Sequence, residues 1–132
     1  MGGLGIGQGM AIGAQAADRS RPVVLITGDG GVGFHLQEFD TMVRHGLPVV
    51  TVVMNNGSWG MSEHGQSALY GAGTAVAVKL PNTRYDAIAT AFGCHGERVT
   101  SLGEIAPALR RALDSGLPAC LDLRIAPDPA HP

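Results

Sequence analysis

Two short, uninterrupted apolar runs, Val23–Thr27 and Val49–Met54, each end abruptly in polar residues, and a helix-like stretch lies between them. No other feature constrains the fold as much. Apolar runs of this length without alternation, bounded by turn signals, suit buried strands of a parallel sheet. The first leads into Gly28-Asp29-Gly30 and the second into Asn55-Asn56. Open parallel sheets collect ligands at the carboxyl ends of their strands, which is where these two polar groups fall.

The rest of the chain continues the alternation. Leu4 to Ala17 is small and apolar at nearly every position. Its glycines 5, 7, 9 and 13 would each weaken an exposed helix by ~1 kcal/mol, so a helix here is expected to pack tightly against a neighbour or ligand. Gly28–Gly33 reads as a glycine loop. Phe34 to His45 carries apolar residues at 36, 39, 42 and 43, a helical stripe, which Gly46 caps and Pro48 ends. After the second run, 55–60 reads as a loop, 61–70 as a short helix and 71–83 as irregular. Residues 84–92 form a predicted helix with Tyr85, Ile88, Ala89 and Phe92 on one face, and His95–Val99 a short strand. Ser101 and Glu104 make a capping box for a helix whose inner face is Ile105, Leu109, Ala112 and Leu113. Gly116-Leu117-Pro118 ends it, and Ala119–Ile125 is the last strand. The expectation is an α/β fold, a parallel sheet with helices on both faces, as one domain over 1–126 with a disordered tail over 127–132.

Composition narrows the function. The chain has 132 residues and a net charge of −2, with no basic footprint for nucleic acid. Only 15% of residues are charged, against a typical ~25%, which suggests a surface partly covered in the working molecule. Cys94 and Cys120 are isolated and read as buried thiols in a reducing compartment. There is no run of ~18 apolar residues for a membrane span and no basic leader, so a cytoplasmic location is expected.

The chemistry rests on Asp29 and Asn56. Neighbouring parallel strands lie ~4.8 Å apart, so the two side chains can share one site. Mg²⁺ takes oxygen ligands in an octahedron, often one carboxylate, neutral oxygens and phosphate oxygens of a ligand. Asp29 supplies the charge, Asn56 an amide oxygen, and the Ser58 carbonyl a third ligand. Gly30, Gly31 and Gly33 leave main-chain N–H groups for a diphosphate. Gly28-x-Gly30-x-x-Gly33 also fits a dinucleotide fingerprint, and a purely structural turn is a third reading. Against the dinucleotide stands the missing ribose-binding acid: no Asp or Glu lies between 41 and 62. Asp29 would also repel a bare pyrophosphate, whereas a bridging cation makes it a requirement.

Gly28-Asp29-Gly30 followed by Asn55-Asn56 resembles the thiamine diphosphate (ThDP) motif of the acetolactate synthase, pyruvate decarboxylase and benzaldehyde lyase superfamily. The likeness extends from the Gly-rich start (1–14) through 28–41 and 54–60. It implies the diphosphate-binding, C-terminal domain of a carbon–carbon lyase or ligase acting on 2-oxo acids or 2-hydroxy ketones. Acetolactate-synthase-like carboligation comes first, with benzaldehyde-lyase-like and 2-hydroxyacyl-CoA-lyase-like reactions as alternatives. A cofactor-binding module inactive on its own is the alternative class. The resemblance implies ThDP contacts from Met1, Gly28, Asp29, Gly30, Gly31, Asn56, Ser58 and Trp59. It implies Mg²⁺ ligation by Asp29, Asn56 and Ser58, and a pocket for a small carbonyl substrate walled by Trp59 and Met61. Gly31 stands where the family usually has serine or alanine, so only its amide remains. The catalytic glutamate of the family lies on a pyrimidine-binding domain of the partner subunit, and FAD, where used, on a middle domain. The chain thus looks like a fragment of a larger, homo-oligomeric enzyme.

Overall fold

The computed structural model describes residues 3–126. Met1 and the tail 127–132 lie outside the described residues. Helix α1 (Gly7–Ala17) leads into β1 (Val24–Gly28), a single helical turn α2 (Asp29–Val32) and, after a 3₁₀ turn, α3 (Glu38–His45). Then come β2 (Val50–Asn55), α4 (Gly60–Tyr70), α5 (Tyr85–Ala91), β3 (His95–Val99), α6 (Leu102–Asp114) and β4 (Ala119–Arg124). The four strands make one all-parallel sheet in the order β1-β2-β4-β3.

Strand alternation builds two cores. On one face Val49 just before β2, Val53 of β2 and Cys120 of β4 meet Ala11, Val32, Phe39, Met42, Tyr85 and Ala89 from α1, α2, α3 and α5. On the other, Val50, Val52, Leu121 and Leu123 meet Ala108 and Ala112 of α6. The helical stripe ending in Gly46 is present, and that residue takes the left-handed conformation (φ 56°) that glycine adopts without penalty. Cys94 and Cys120 are buried and unpaired. Burial pushes the Cys94 thiol up to about 11 and the Cys120 thiol well above its usual range, so both stay protonated and inert.

Four expectations need correction. The first strand is not buried on both faces. It is a sheet edge, and α6 does not reach it, so Ile26 is 71% exposed and Val24 also faces outward. The glycine stretch after it is a helical turn rather than a loop, because Gly33 N–H closes onto the Asp29 carbonyl. Ser101 is the N-cap in extended conformation, but its hydroxyl makes no capping bond, so the capping box does not form. Leu113 turns outward, leaving Ala108 and Ala112 as the buried residues of α6. On α1, Gly7 packs against Leu25, whereas nothing lies within 4 Å of a side chain built at Gly9 or Gly13.

Candidate functional site

The end of β1 and the end of β2 form one wall of a cleft of about 510 Å³ at the carboxyl edge of the sheet. Gly28, Asp29, Gly30, Gly31, Asn56, Ser58, Trp59 and Met61 all line it, as do Gly3, Leu4 and Gly5 from the stretch before α1. The predicted site residues of the described chain are thus brought to one place, except Gly33, which does not line the cleft and whose N–H is bonded to the Asp29 carbonyl.

Asp29 is the pivot. Its side chain is 3% exposed in the first turn of α2. Oδ1 accepts the Gly30 N–H at 2.9 Å, and Oδ2 accepts the Gly57 N–H at 2.7 Å, from the loop that carries Asn56 and Ser58. Two main-chain donors to the carboxylate fix its direction. The Gly30 N–H is thereby committed to Asp29 and is not free for a ligand; Gly31 remains. Tyr85, buried on α5, donates its hydroxyl to the Asp29 carbonyl at 3.3 Å. Burial, and then the charge of Asp29, raise the pKa of that phenol.

The Asn56 loop is equally tied. Asn56 Oδ1 accepts the Ser58 N–H at 3.0 Å, an Asx turn. Gly57 adopts φ 71°, a conformation that favours glycine. Ser58 is buried, and its hydroxyl donates to Glu63 at 2.5 Å. Lys79 and then Ser58 hold the Glu63 carboxyl below its usual range. Trp59 lies over Gly30 and meets Phe34 edge to face at 5.6 Å between ring centres. A Cβ at Gly30 would stand 2.7 Å from the indole, so that contact demands glycine. Met61 is 86% exposed on the rim, a wall on one side only.

Beneath the loop, Asn55 is fully buried on the α5 side of the sheet. Its amide donates to Asp122 at 2.7 Å and to the Thr83 carbonyl at 3.1 Å, and its oxygen accepts from Arg124 at 2.8 Å. Burial raises the Asp122 pKa against the pull of that Asn55 bond. The sequence reading names Asn55 only as a neighbour of Asn56 and passes over Tyr85, Glu63, Lys79 and Asp122 as site supports. Their partners are remote in sequence, and no local pattern marks them.

Among the described residues no three His, Cys, Asp or Glu side chains are grouped to hold a metal. The oxygen-bearing residues of the cleft form a different set: the Asp29 carboxylate, the Asn56 amide and the loop at Ser58. Such hard oxygen donors suit Mg²⁺ or Ca²⁺ and not a soft or borderline metal.

Parallel α/β architecture with a cleft at the carboxyl ends of the strands is the arrangement of a cofactor-binding domain. The comparisons give its family. Residues 1–123 match the family model described as thiamine pyrophosphate enzyme, C-terminal TPP binding domain, and the chain belongs to that family. It is 48% identical over 129 residues to the acetolactate synthase large subunit IlvG of Mycobacterium tuberculosis, covering 98% of this chain and 23% of that protein. It is 40% identical over 119 residues to 2-hydroxyacyl-CoA lyase 2 of Caenorhabditis elegans, covering 90% and 18%. Its fold matches the thiamine diphosphate-dependent 4-hydroxybenzoylformate decarboxylase of Rhodococcus jostii RHA1 with a TM-score of 0.85 and 26% identity, over 98% of this chain and 24% of that one. The chain thus spans about a quarter or less of the length of these relatives. No helix among the described residues is long and apolar enough to cross a membrane.

Proposed function

We propose that this chain holds the diphosphate end of ThDP through Mg²⁺, as the C-terminal domain of a carbon–carbon ligase or lyase acting on 2-oxo acids. The observation that carries the reading is the buried Asp29 carboxylate, aimed into a cleft it shares with Asn56 and Ser58 and bonded to the loop that bears them. Asp29, the Asn56 amide oxygen and the Ser58 carbonyl hold the cation. Gly31 offers its N–H to a diphosphate oxygen. Trp59 and Met61 wall the side from which a carbonyl substrate enters. Once bound, ThDP supplies an electron sink beside the substrate carbonyl; the chain orients it and balances its charge.

Acetolactate-synthase-like carboligation is the first reading, supported by 48% identity over 129 residues to a protein of that name. A 2-hydroxyacyl-CoA-lyase-like reaction is second, supported by the 40% identical nematode relative. In either case a general base comes from a pyrimidine-binding domain of the complete protein or its partner subunit. Homo-oligomerisation, a cytoplasmic location, any FAD on a further domain, and the boundary at 126 belong to the same proposal.

The test is a titration of the chain with ThDP, with and without Mg²⁺, following Trp59, the single tryptophan. Saturable, Mg²⁺-dependent quenching that disappears in Asp29→Ala is expected. Quenching by NAD instead would overturn the reading in favour of a dinucleotide site.

A further inference from the structure

Glu63 stands in the first turn of α4, where a carboxylate ordinarily reaches back to the N-cap main chain or serves the helix dipole. Here it does something else. Its Oε2 accepts the Ser58 hydroxyl at 2.5 Å, and its Oε1 meets the Lys79 ammonium at 2.5 Å. The Ser58 hydroxyl has a single proton, and the carboxylate lies closer than its other neighbour, the Val78 carbonyl at 3.2 Å. Glu63 is largely shielded at 28% exposure, whereas Lys79 reaches it from the surface at 67%.

The main chain reinforces this link. Ser58 and Lys79 pair as an isolated antiparallel bridge. Trp59 N–H donates to the Val78 carbonyl at 2.8 Å, and Leu80 N–H donates to the Gly57 carbonyl at 2.9 Å. Residues 78–80 therefore run as a strap alongside 57–59. Glu63 bolts the strap, through Lys79, and the loop, through Ser58, to the start of α4. On the other side Asp29 holds the same loop by the Gly57 N–H.

A loop carbonyl is a demanding ligand, because its peptide plane must be held; the Ser58 carbonyl shares its plane with the Trp59 N–H, which is bonded to the Val78 carbonyl of the strap. Mg²⁺ requires near-ideal octahedral geometry, whereas Ca²⁺ accepts irregular shells. We infer that Glu63 is a positioning residue for the cation site: by joining the Ser58 hydroxyl to Lys79 it clamps the pairing of 57–59 with 78–80 that sets the direction of the Ser58 carbonyl. The inference rests on the cation-and-diphosphate reading above and adds two residues and a metal preference to it.

The experiment measures the concentration of Mg²⁺, and separately of Ca²⁺, that half-saturates ThDP binding by the full 132-residue chain. Trp59 emission is the readout, with thermal unfolding in parallel. Loss of an outer-shell partner weakens metal binding by about 10–100-fold, so Glu63→Ala is expected to raise the Mg²⁺ requirement at least about tenfold. The Ca²⁺ requirement rises much less. Glu63→Gln, whose amide oxygen still accepts the Ser58 proton, stays close to wild type, and Lys79→Met falls between. Ser58→Ala removes the same bond from its other end while keeping the carbonyl, and replaces Glu63→Ala if that variant does not fold. An unchanged Mg²⁺ requirement overturns the inference. So does an equal loss for both cations, which marks general loosening, or a Glu63→Gln as damaged as Glu63→Ala. Wild-type chain that binds ThDP without any cation, or not at all, overturns the cofactor reading itself, and the inference with it.

Discussion

Asn55→Ala should be among the most destabilising single changes in this domain. The amide makes three hydrogen bonds at 2.7, 2.8 and 3.1 Å while fully buried. Its removal strands Asp122 most of all, because Asp122 Oδ2 already has no partner and Oδ1 has only Asn55. A hydrogen bond to a charged group contributes about 1.5–3 kcal/mol, and a carbonyl left unsatisfied costs about 1–3 kcal/mol. The Arg124 end is half-exposed and recovers water, so it adds little. Asp122 limits the loss by taking up a proton, which its raised pKa favours. The sum is about 3–5 kcal/mol, a large share of the ~5–15 kcal/mol that stabilises a typical domain. Urea unfolding followed at Trp59, with a slope of about 2 kcal/mol/M, should move its midpoint down by about 2 M. The double variant Asn55→Ala/Asp122→Ala should lose clearly less than the sum of the two singles, because the two residues touch. A midpoint shift below about 0.5 M, or strict additivity, would refute the claim that this pair anchors β2 to β4.

Three further outcomes follow from the same geometry. Gly30→Ala places a methyl 2.7 Å from the Trp59 indole, which also meets Phe34 edge to face; a loss of about 1–3 kcal/mol and a shifted emission maximum are expected, and an unmoved spectrum would contradict the packing. Gly96→Ala drives a Cβ to 2.2 Å from the Asp86 carbonyl oxygen, so α5 must lift from β3; thermal melting should show a loss at or above about 3 kcal/mol, and an unaltered Tm would rule out the contact. Burial raises the Asp122 pKa, so its share of stability is complete below the ordinary carboxylate value of about 4 and is lost as pH rises through the raised one. Asp122→Asn should therefore lose less stability than wild type between pH ~4 and ~7, and parallel melting profiles would refute the assignment.

The part of the site that sequence makes legible is the part carried by local signals. Asp29 and Asn56 each follow directly on an apolar run, and their meeting needs only that β1 and β2 be neighbours, as their register from Val24↔Val50 to Gly28↔Met54 has it. Gly46 is legible for the same reason, since a helix stop and a left-handed residue are both properties of a few consecutive positions. What sequence hides depends on which elements are neighbours. Val23–Thr27 has the composition of a doubly covered strand, yet only the position of α6 over β2, β3 and β4 decides that the outer face of β1 is left bare. Asn55 reaches Asp122 across 67 residues, and Tyr85 reaches Asp29 across 56. Both read as ordinary core or motif positions until the sheet order is known. Glu63 shows the difference most sharply. Its helical neighbours three residues before, Gly60, and three and four after, Gln66 and Ser67, carry no cation, so nothing at helical spacing calls for a carboxylate; its partner is Lys79, on a segment whose sequence has no period. The ligating groups are thus written at the strand ends, while the residues that hold them are set by the tertiary pairing of 57–59 with 78–80. A substitution in that pairing should therefore change cation affinity while leaving every residue of the recognisable motif in place.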